Sequence, residues 1–225
     1  MVAEVYAHSA ATLYKLDPTT NAVTTVGNFA NCNDSVIDIA IDKNGLMYGT
    51  MFSGLAVIDK STAVCTVIAN GSYPNSLSFV PQGTVDPNEE ALVGYEGSDY
   101  VRIDKVTGAK TIIGSLGNDG YFSSGDMVSL IAGASYLTVN GNACADCIVE
   151  VDPTTGALVN MIGSLSHNTV YGLAYWGGVA YGFDDAGELF SIDVTNGTTT
   201  AIPIPNAPPG LSFWGAGSTT AAPHM

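Results

Sequence analysis

The chain has 225 residues, of which 46% are hydrophobic and only 12% charged, enough apolar material for one large domain or two small ones with a sizeable core. Its 21 acidic and 6 basic residues give a net charge of -15, which repels the phosphates of nucleic acids and anionic membrane surfaces and attracts cations. No run of about 20 apolar residues is present to span a bilayer, and the opening MVAEVYAHSA lacks the basic and apolar segments of a signal peptide.

From the N-terminus, AEVYAH (residues 3–8) reads as a short strand leading directly into LYKLDPTTNAVTTV, which starts at Leu13. That second segment is an apolar strand, an Asp-led turn and a β-branched strand, so it reads as a hairpin. The same grammar returns as LAVIDKSTAVCTVI from Leu55, YVRIDKVTGAKTII from Tyr100, IVEVDPTTGALVNM from Ile148 and LFSIDVTNGTTTAI from Leu189. The turn aspartates Asp17, Asp59, Asp104, Asp152 and Asp193 are 42, 45, 48 and 41 residues apart, a period that marks a repeated supersecondary unit. Each Asp side chain can accept a backbone N–H within its turn. Gly108, Gly156 and Gly197 supply a positive φ near the turn's end, and Asn21 tolerates it. Ala63 departs from this pattern, because its Cβ disfavours that conformation, and predicts a second turn of different shape.

Four of the hairpins are preceded by another pair of short strands: VIDIAI with LMYGTM, SLSFV with ALVGYE, DMVSLI with SYLTVN, and VYGLAY with VAYGFD. Four strands per unit describe the blade of a β-propeller. The first unit lacks its innermost strand, and GLSFWG (210–215) matches SLSFVP (76–81), so a C-terminal inner strand is expected to close the N-terminal blade. The expected fold is therefore all-β, a five-bladed β-propeller over residues 1–217, with 218–225 as a flexible tail. Over about residues 3 to 215 the chain resembles the broad family of repeated β-propellers, including acidic extracellular or cell-surface members whose blades carry Asp-x-x-Thr-Gly hairpins. That resemblance implies topology. It does not select among the enzymes and the protein- or ligand-binding scaffolds built on this fold.

Aligning the inner strands places Asp38, Ser76, Asp126, Gly172 and Gly210 at one position facing the central channel. The next position holds Ile39, Leu77, Met127, Leu173 and Leu211, expected between blades. Two carboxylates with small neighbours suggest a cation site, with Ca²⁺ at Asp38 and Asp126 assisted by Asp34 and Asp119, set against a structural channel end. The enzymatic alternative is a glycoside hydrolase, which the resemblance to five-bladed glycosidases would place on the same two carboxylates. Glu96 is then the nearest candidate for the missing acid. His8 and His167 read as polar rim residues, and Ser123 and Ser124 form no catalytic pattern with them, so no catalytic residue is assigned.

Tyr121 and Phe122 interrupt a polar connection into the fourth inner strand and are the strongest ligand-binding candidates, whereas Tyr175 and Trp214 are expected to pack between blades. The four cysteines predict a local Cys144–Cys147 bridge in a loop of the fourth blade and a second bridge, Cys32–Cys65. Redox catalysis by the CADC stretch is disfavoured because no helix start is predicted there. Cysteine usage, together with few lysines and abundant Thr, Asn and Gly, leans toward an extracellular or cell-surface setting, and the use of NDS, NGS and NGT as glycosylation acceptors depends on that compartment. The composite expectation is a noncatalytic, monomeric scaffold within a larger protein or surface assembly. It engages protein or glycan through its loop face, with no nucleic acid and no membrane insertion.

Overall fold

The computed structural model describes residues 4–131, 133–142 and 144–220 of the chain, and these form twenty strands in five four-stranded sheets. The first blade contains β1 (Val5–His8), β2 (Thr12–Asp17) and β3 (Ala22–Asn28). The second has β4 (Val36–Ile41), β5 (Met47–Met51), β6 (Gly54–Ile58) and β7 (Cys65–Asn70). The third has β8 (Ser76–Val80), β9 (Ala91–Glu96), β10 (Asp99–Ile103) and β11 (Lys110–Ser115). The fourth has β12 (Tyr121–Ser129), β13 (Ser135–Gly141), β14 (Cys144–Val151) and β15 (Leu158–Ser164), and the fifth β16 (Val170–Trp176), β17 (Val179–Asp184), β18 (Leu189–Ile192) and β19 (Thr199–Ile202). The last strand, β20 (Gly215–Ser218), pairs antiparallel with β1 and completes the first blade. The inner strands neighbour one another in the closed order β20, β4, β8, β12, β16 and back to β20, so the fold is a five-bladed propeller. No helix long and apolar enough to cross a membrane occurs among the described residues.

The closing strand lies five residues later than the matching of GLSFW with SLSFV implies. Pro208 and Pro209 precede Gly210, which turns the chain at φ +69°, and residues 211–214 are not strand. Phe213 is fully buried against Tyr14 and Phe183, plugging the seam between the first and fifth blades. The small residues Gly215, Ala216 and Gly217 then enter the ladder opposite His8, Ala7 and Tyr6. Their size is the reason they serve there: a Cβ on Gly217 would stand 2.8 Å from the carbonyl oxygen of Ile39. Packing runs on past the boundary expected at residue 217, since the Thr219 N–H donates to the Glu4 carbonyl at 3.1 Å and Thr220 bonds to Glu90. Residues 221–225 of the expected tail lie outside the described residues.

Each pair of adjacent blades buries one apolar layer, five in all, and the inner-strand position that follows the channel-facing one supplies one residue to each: Ile39, Leu77, Met127, Leu173 and Ala216. Ala216 takes the place expected for Leu211. In every hairpin the leading aspartate accepts the backbone N–H two residues on, at 2.7 to 2.9 Å. The second turn does not depart in shape: Ala63 has φ 59°, like Asn21, and makes the same N–H bond back to its aspartate carbonyl. Its Cβ is fully buried in the layer between the first two blades, and that packing offsets a left-handed strain of about 1–2 kcal/mol. At the equivalent position Gly156 has a second reason to lack a side chain, because a Cβ there would strike the ring of Tyr100. Tyr95 and Tyr100 of the third blade donate their hydroxyls to Gly156 and Pro153 of the fourth at 2.8 Å, so the repeated turn is also a blade-to-blade clasp.

Both expected disulfides are present, Cys32–Cys65 and Cys144–Cys147. The CADC stretch is not a loop. It forms the first residues of β14, with Cys144 opposite Gly141 and Cys147 opposite Val139. Cys32–Cys65 closes a 33-residue separation and ties the connection between the first two blades to the outer strand of the second. By loop-closure entropy it contributes about 3–4 kcal/mol, and the three-residue closure about 1–2 kcal/mol. The paired substitution Cys32→Ser with Cys65→Ser is expected to lower the urea midpoint clearly more than Cys144→Ser with Cys147→Ser. Equal midpoints for the two variants would contradict that ranking.

Candidate ligand mouth and carboxylate ring

The structure brings Asp38 and Asp126 together as the inner-strand alignment implies, with Ser76, Gly172 and Gly215, rather than Gly210, completing the ring. Both carboxyls are fully buried. Asp38 accepts the N–H of Ile39 through Oδ1 at 2.8 Å and that of Leu77 in the next blade through Oδ2 at 2.6 Å. Asp126 does the same with Met127 and Leu173, both at 2.6 Å. Each aspartate therefore pins its own inner strand to the following one, second blade to third and fourth to fifth. The two carboxyls also hydrogen-bond to each other, and Asp126 accepts the Ala216 N–H of β20.

Burial pushes the Asp38 carboxyl well above the ordinary carboxylate range, and the facing charge of Asp126 pushes it further. Burial raises Asp126 as well, opposed by the N–H groups of Leu173, Met127 and Ala216 and by the bond from Asp38. Two carboxyls buried against each other cannot readily both ionise, so the pair as a whole holds on to a proton. His8 is not a rim residue. It is fully buried at the end of β1, where burial pulls its imidazole down to about 4, and its Nδ1 is 2.9 Å from the Ser9 carbonyl. The neutral ring thus donates from Nδ1. Its Nε2 has no hydrogen-bond partner and faces, with Asp38 Oδ1, the space left by the missing side chain of Gly215.

Above this ring the propeller opens into a cavity of about 310 Å³. Its wall takes one residue from each blade, the position immediately before the ring: Ile37, Asn75, Gly125, Tyr171 and Trp214. Phe52 from the β5–β6 turn, Ser124, and Asp185 from the β17–β18 turn complete it. Trp214 is at this mouth and not between blades, because the later start of β20 leaves it just outside the strand. Its Nε1–H donates to Asp185 at 3.0 Å, which fixes the indole. Ser124 donates to the buried carboxylate of Asp146 at 3.1 Å, and Asp146 also accepts the Thr169 N–H at 2.7 Å, locking the fourth blade's rim to the fifth. Phe52 is 62% exposed, an unusual state for a phenylalanine beside a cavity.

Other sequence candidates are elsewhere. Tyr121 and Phe122 belong to β12 itself, where the inner strand is longer than its polar composition suggests. Phe122 is half exposed, while Tyr121 packs on the layer between the third and fourth blades. Glu96, at the end of β9, forms an ion pair with Lys110 of β11, the outer strand of the same blade. Asp34 and Asp119 are exposed loop residues, and Asp34 caps the N–H of Ser35. Tyr175 is part-buried against the layer between the fourth and fifth blades. His167 meets Asp184 and Glu188 in a cluster capable of coordinating a metal ion. Sequence reasoning missed Phe52, Asn75 and Asp185. The alignment that found the ring contains Asn75 one step upstream, but the other two sit in turns where no periodicity reports direction.

Residues 89–221, more than half of the chain, match the family described as a repeat of unknown function (DUF6923). The chain belongs to this family. No curated protein matches it in sequence. Among solved structures the DUF6923 chain is similar to one in a nidogen/laminin complex, at 11% identity and TM-score 0.58 over 98% of this chain and 99% of that one. It is also similar to a protein of unknown function from Bacteroides caccae, at 13% identity and TM-score 0.48 over 94% and 76% of the two chains. TolB from Acinetobacter baumannii follows, at 16% identity and TM-score 0.48 over 96% and 53%. At these identities the likeness concerns the fold alone.

Proposed function

We propose that the chain is a noncatalytic, extracellular or cell-surface binding module that takes a glycan in its central mouth. The observation that supports this most is the wall of the cavity, where the aromatic faces of Phe52, Tyr171 and Trp214 stand beside the hydrogen-bonding groups of Asn75, Ser124 and Asp185. A pyranose has apolar faces and a hydroxyl edge, and this wall has a complement to each. Trp214 is held by Asp185 before any ligand arrives, which reduces the ordering cost of binding. Phe122, half exposed on β12 but outside the wall of the cavity, is kept in the proposal only as a secondary contact. Two disulfides favour an oxidising compartment.

Hydrolysis is the weaker reading on chemical grounds. It needs two carboxyl groups flanking the bond, and the mouth offers the single carboxylate of Asp185. Asp38 and Asp126 are fully buried below it, and all four of their oxygens already accept backbone N–H groups. The same occupancy leaves little of a hard cation's shell to be filled there, so Ca²⁺ at the ring is not part of the proposal.

Glycan-array screening followed by calorimetry tests the reading. Trp214→Ala and Tyr171→Ala are each expected to weaken the best glycan at least tenfold while leaving thermal unfolding close to wild type. An array without hits, or hits indifferent to both substitutions, defeats the glycan assignment. Capture of a protein partner by the same face, lost in Trp214→Ala, would put a protein ligand in its place.

A further inference from the structure

The geometry points to a second site, a divalent transition-metal site made by His167, Asp184 and Glu188 on the fifth blade. His167 Nδ1 lies 3.0 Å from Asp184 Oδ2 and 3.2 Å from Glu188 Oε2, and all three ligand atoms are within 4.8 Å of one another. Donors bound at about 2.0–2.2 Å to a common ion stand about 3.0–3.5 Å apart, so the two histidine separations already match a coordination edge. Glu188 is the exposed member and the one free to adjust.

The other two are held in place. The imidazole stacks on the buried ring of Phe190, with centroids 3.7 Å apart and planes 8° from parallel, which sets the direction of Nδ1. Asp184 is nearly inaccessible, and its Oδ1 accepts the Glu188 N–H at 2.9 Å, leaving Oδ2 for the site. Its carbonyl oxygen also accepts the Phe213 N–H, so the closing segment of the chain helps to hold the ligand. One ring nitrogen facing two carboxylates is an excess of negative charge that a single N–H shared between them meets poorly and a divalent ion meets well.

The donor set selects the class of ion. An imidazole nitrogen with two carboxylates suits Zn²⁺ and its first-row neighbours, whereas Ca²⁺ and Mg²⁺ favour all-oxygen shells. Three protein ligands leave room for water in the remaining positions. The net charge of -15 draws cations to the surface in general, and here His167 adds a nitrogen donor to that field. The ion is one residue along the chain from Asp185, so it braces the mouth wall that carries Trp214. The site does not depend on the glycan reading.

The test is titration of the chelator-treated chain with Zn²⁺ alone, in a His224→Ala background so that the C-terminal histidine contributes nothing. Calorimetry should give one equivalent, and Co²⁺ should develop a visible absorption band with the same stoichiometry. Glu188→Gln, at an exposed side chain that leaves the metal-free melting curve unchanged, is expected to weaken Zn²⁺ at least tenfold, and His167→Gln to abolish binding. Asp119→Asn, an acidic loop residue elsewhere, should have no effect. Absence of a one-to-one Zn²⁺ complex overturns the site, as does binding indifferent to Glu188→Gln. Ca²⁺ binding as tight as Zn²⁺ would overturn the assigned class.

Discussion

Asp38→Ala is expected to remove about 3–5 kcal/mol of folding stability, because the buried N–H groups of Ile39 and Leu77 lose their acceptor and neither can reach water. That is a large share of the 5–15 kcal/mol typical of a domain, and urea denaturation will read it directly. Asp126→Ala should act similarly, through Met127 and Leu173, and the double variant should lose less than the two single losses combined, since the pair shares one bond. A loss below about 1 kcal/mol for Asp38→Ala would show that the channel admits water and that the ring is not a staple.

The pH dependence carries a sign that distinguishes this pair from the turn aspartates. A carboxyl raised in the folded state binds its proton more tightly there than in the unfolded chain. Its stabilisation is therefore complete below the ordinary carboxylate value of about 4 and declines as pH rises toward the folded value. Asp17, Asp59, Asp104 and Asp193 are lowered, chiefly by hydrogen bonds within their own turns, so their contribution is present above the ordinary value and lost as pH falls. Asp38→Asn keeps the shape and removes the ionisation. The amide nitrogen cannot accept an N–H, so the variant is weaker than wild type in mild acid, and the difference narrows toward neutrality. A constant difference from pH 4 to 7 would refute the shared proton.

Truncation after Trp214 should prevent cooperative folding altogether. It removes β20 and leaves the β1 edge, the Asp126 acceptor and the seam beside Phe213 uncovered, a combination that favours aggregation. Truncation after Thr220 keeps every described contact and is expected to melt like the full chain. Two glycine substitutions check the register independently. At Gly215 a Cβ collides with His8 Nε2 and Asp38 Oδ1 in the buried ring, so Gly215→Ala should be severely destabilising. At Gly210 nothing lies within 4 Å, and Gly210→Ala should cost only the strain of its positive φ, about 1–2 kcal/mol. A soluble, two-state truncation after Trp214 would mean that the first blade closes by another route.

The hairpins were readable because five copies of one turn agree in spacing and because each Asp makes its bond within three residues, a local interaction that sequence order records. The two aspartates of the ring were readable for a related reason, as inner strands align by alternation. The closing strand was misplaced because apolar alternation does not distinguish a residue that enters a ladder from one, like Phe213, that fills a seam beside it. Ala63 shows the same limit from the other side: local preference argued against its conformation, and burial by the neighbouring blade overrode it. His8, Phe52 and Asp185 depend on which blade tops come together, and that follows from ring closure rather than from any window of sequence; the His167 cluster joins the connection into the fifth blade to the β17–β18 turn of that same blade, a pairing that strand periodicity does not record.

Around the bore the five equivalent positions read Gly215, Asp38, Ser76, Asp126 and Gly172, two full-sized side chains set among three small ones. The space beside Asp38 exists because Gly215 has no Cβ, and Gly172 is bare because Ala216 lies against it. Tandem repeats commonly gain and lose copies, but here the copies have ceased to be interchangeable. Inserting another unit of the Asp type would add a third acid to a dry space that accommodates one shared proton, and deleting one would strand its partner. Blade number in this chain is thus set by the filling of its axis, and engineered copies could be added only together with a redesigned ring.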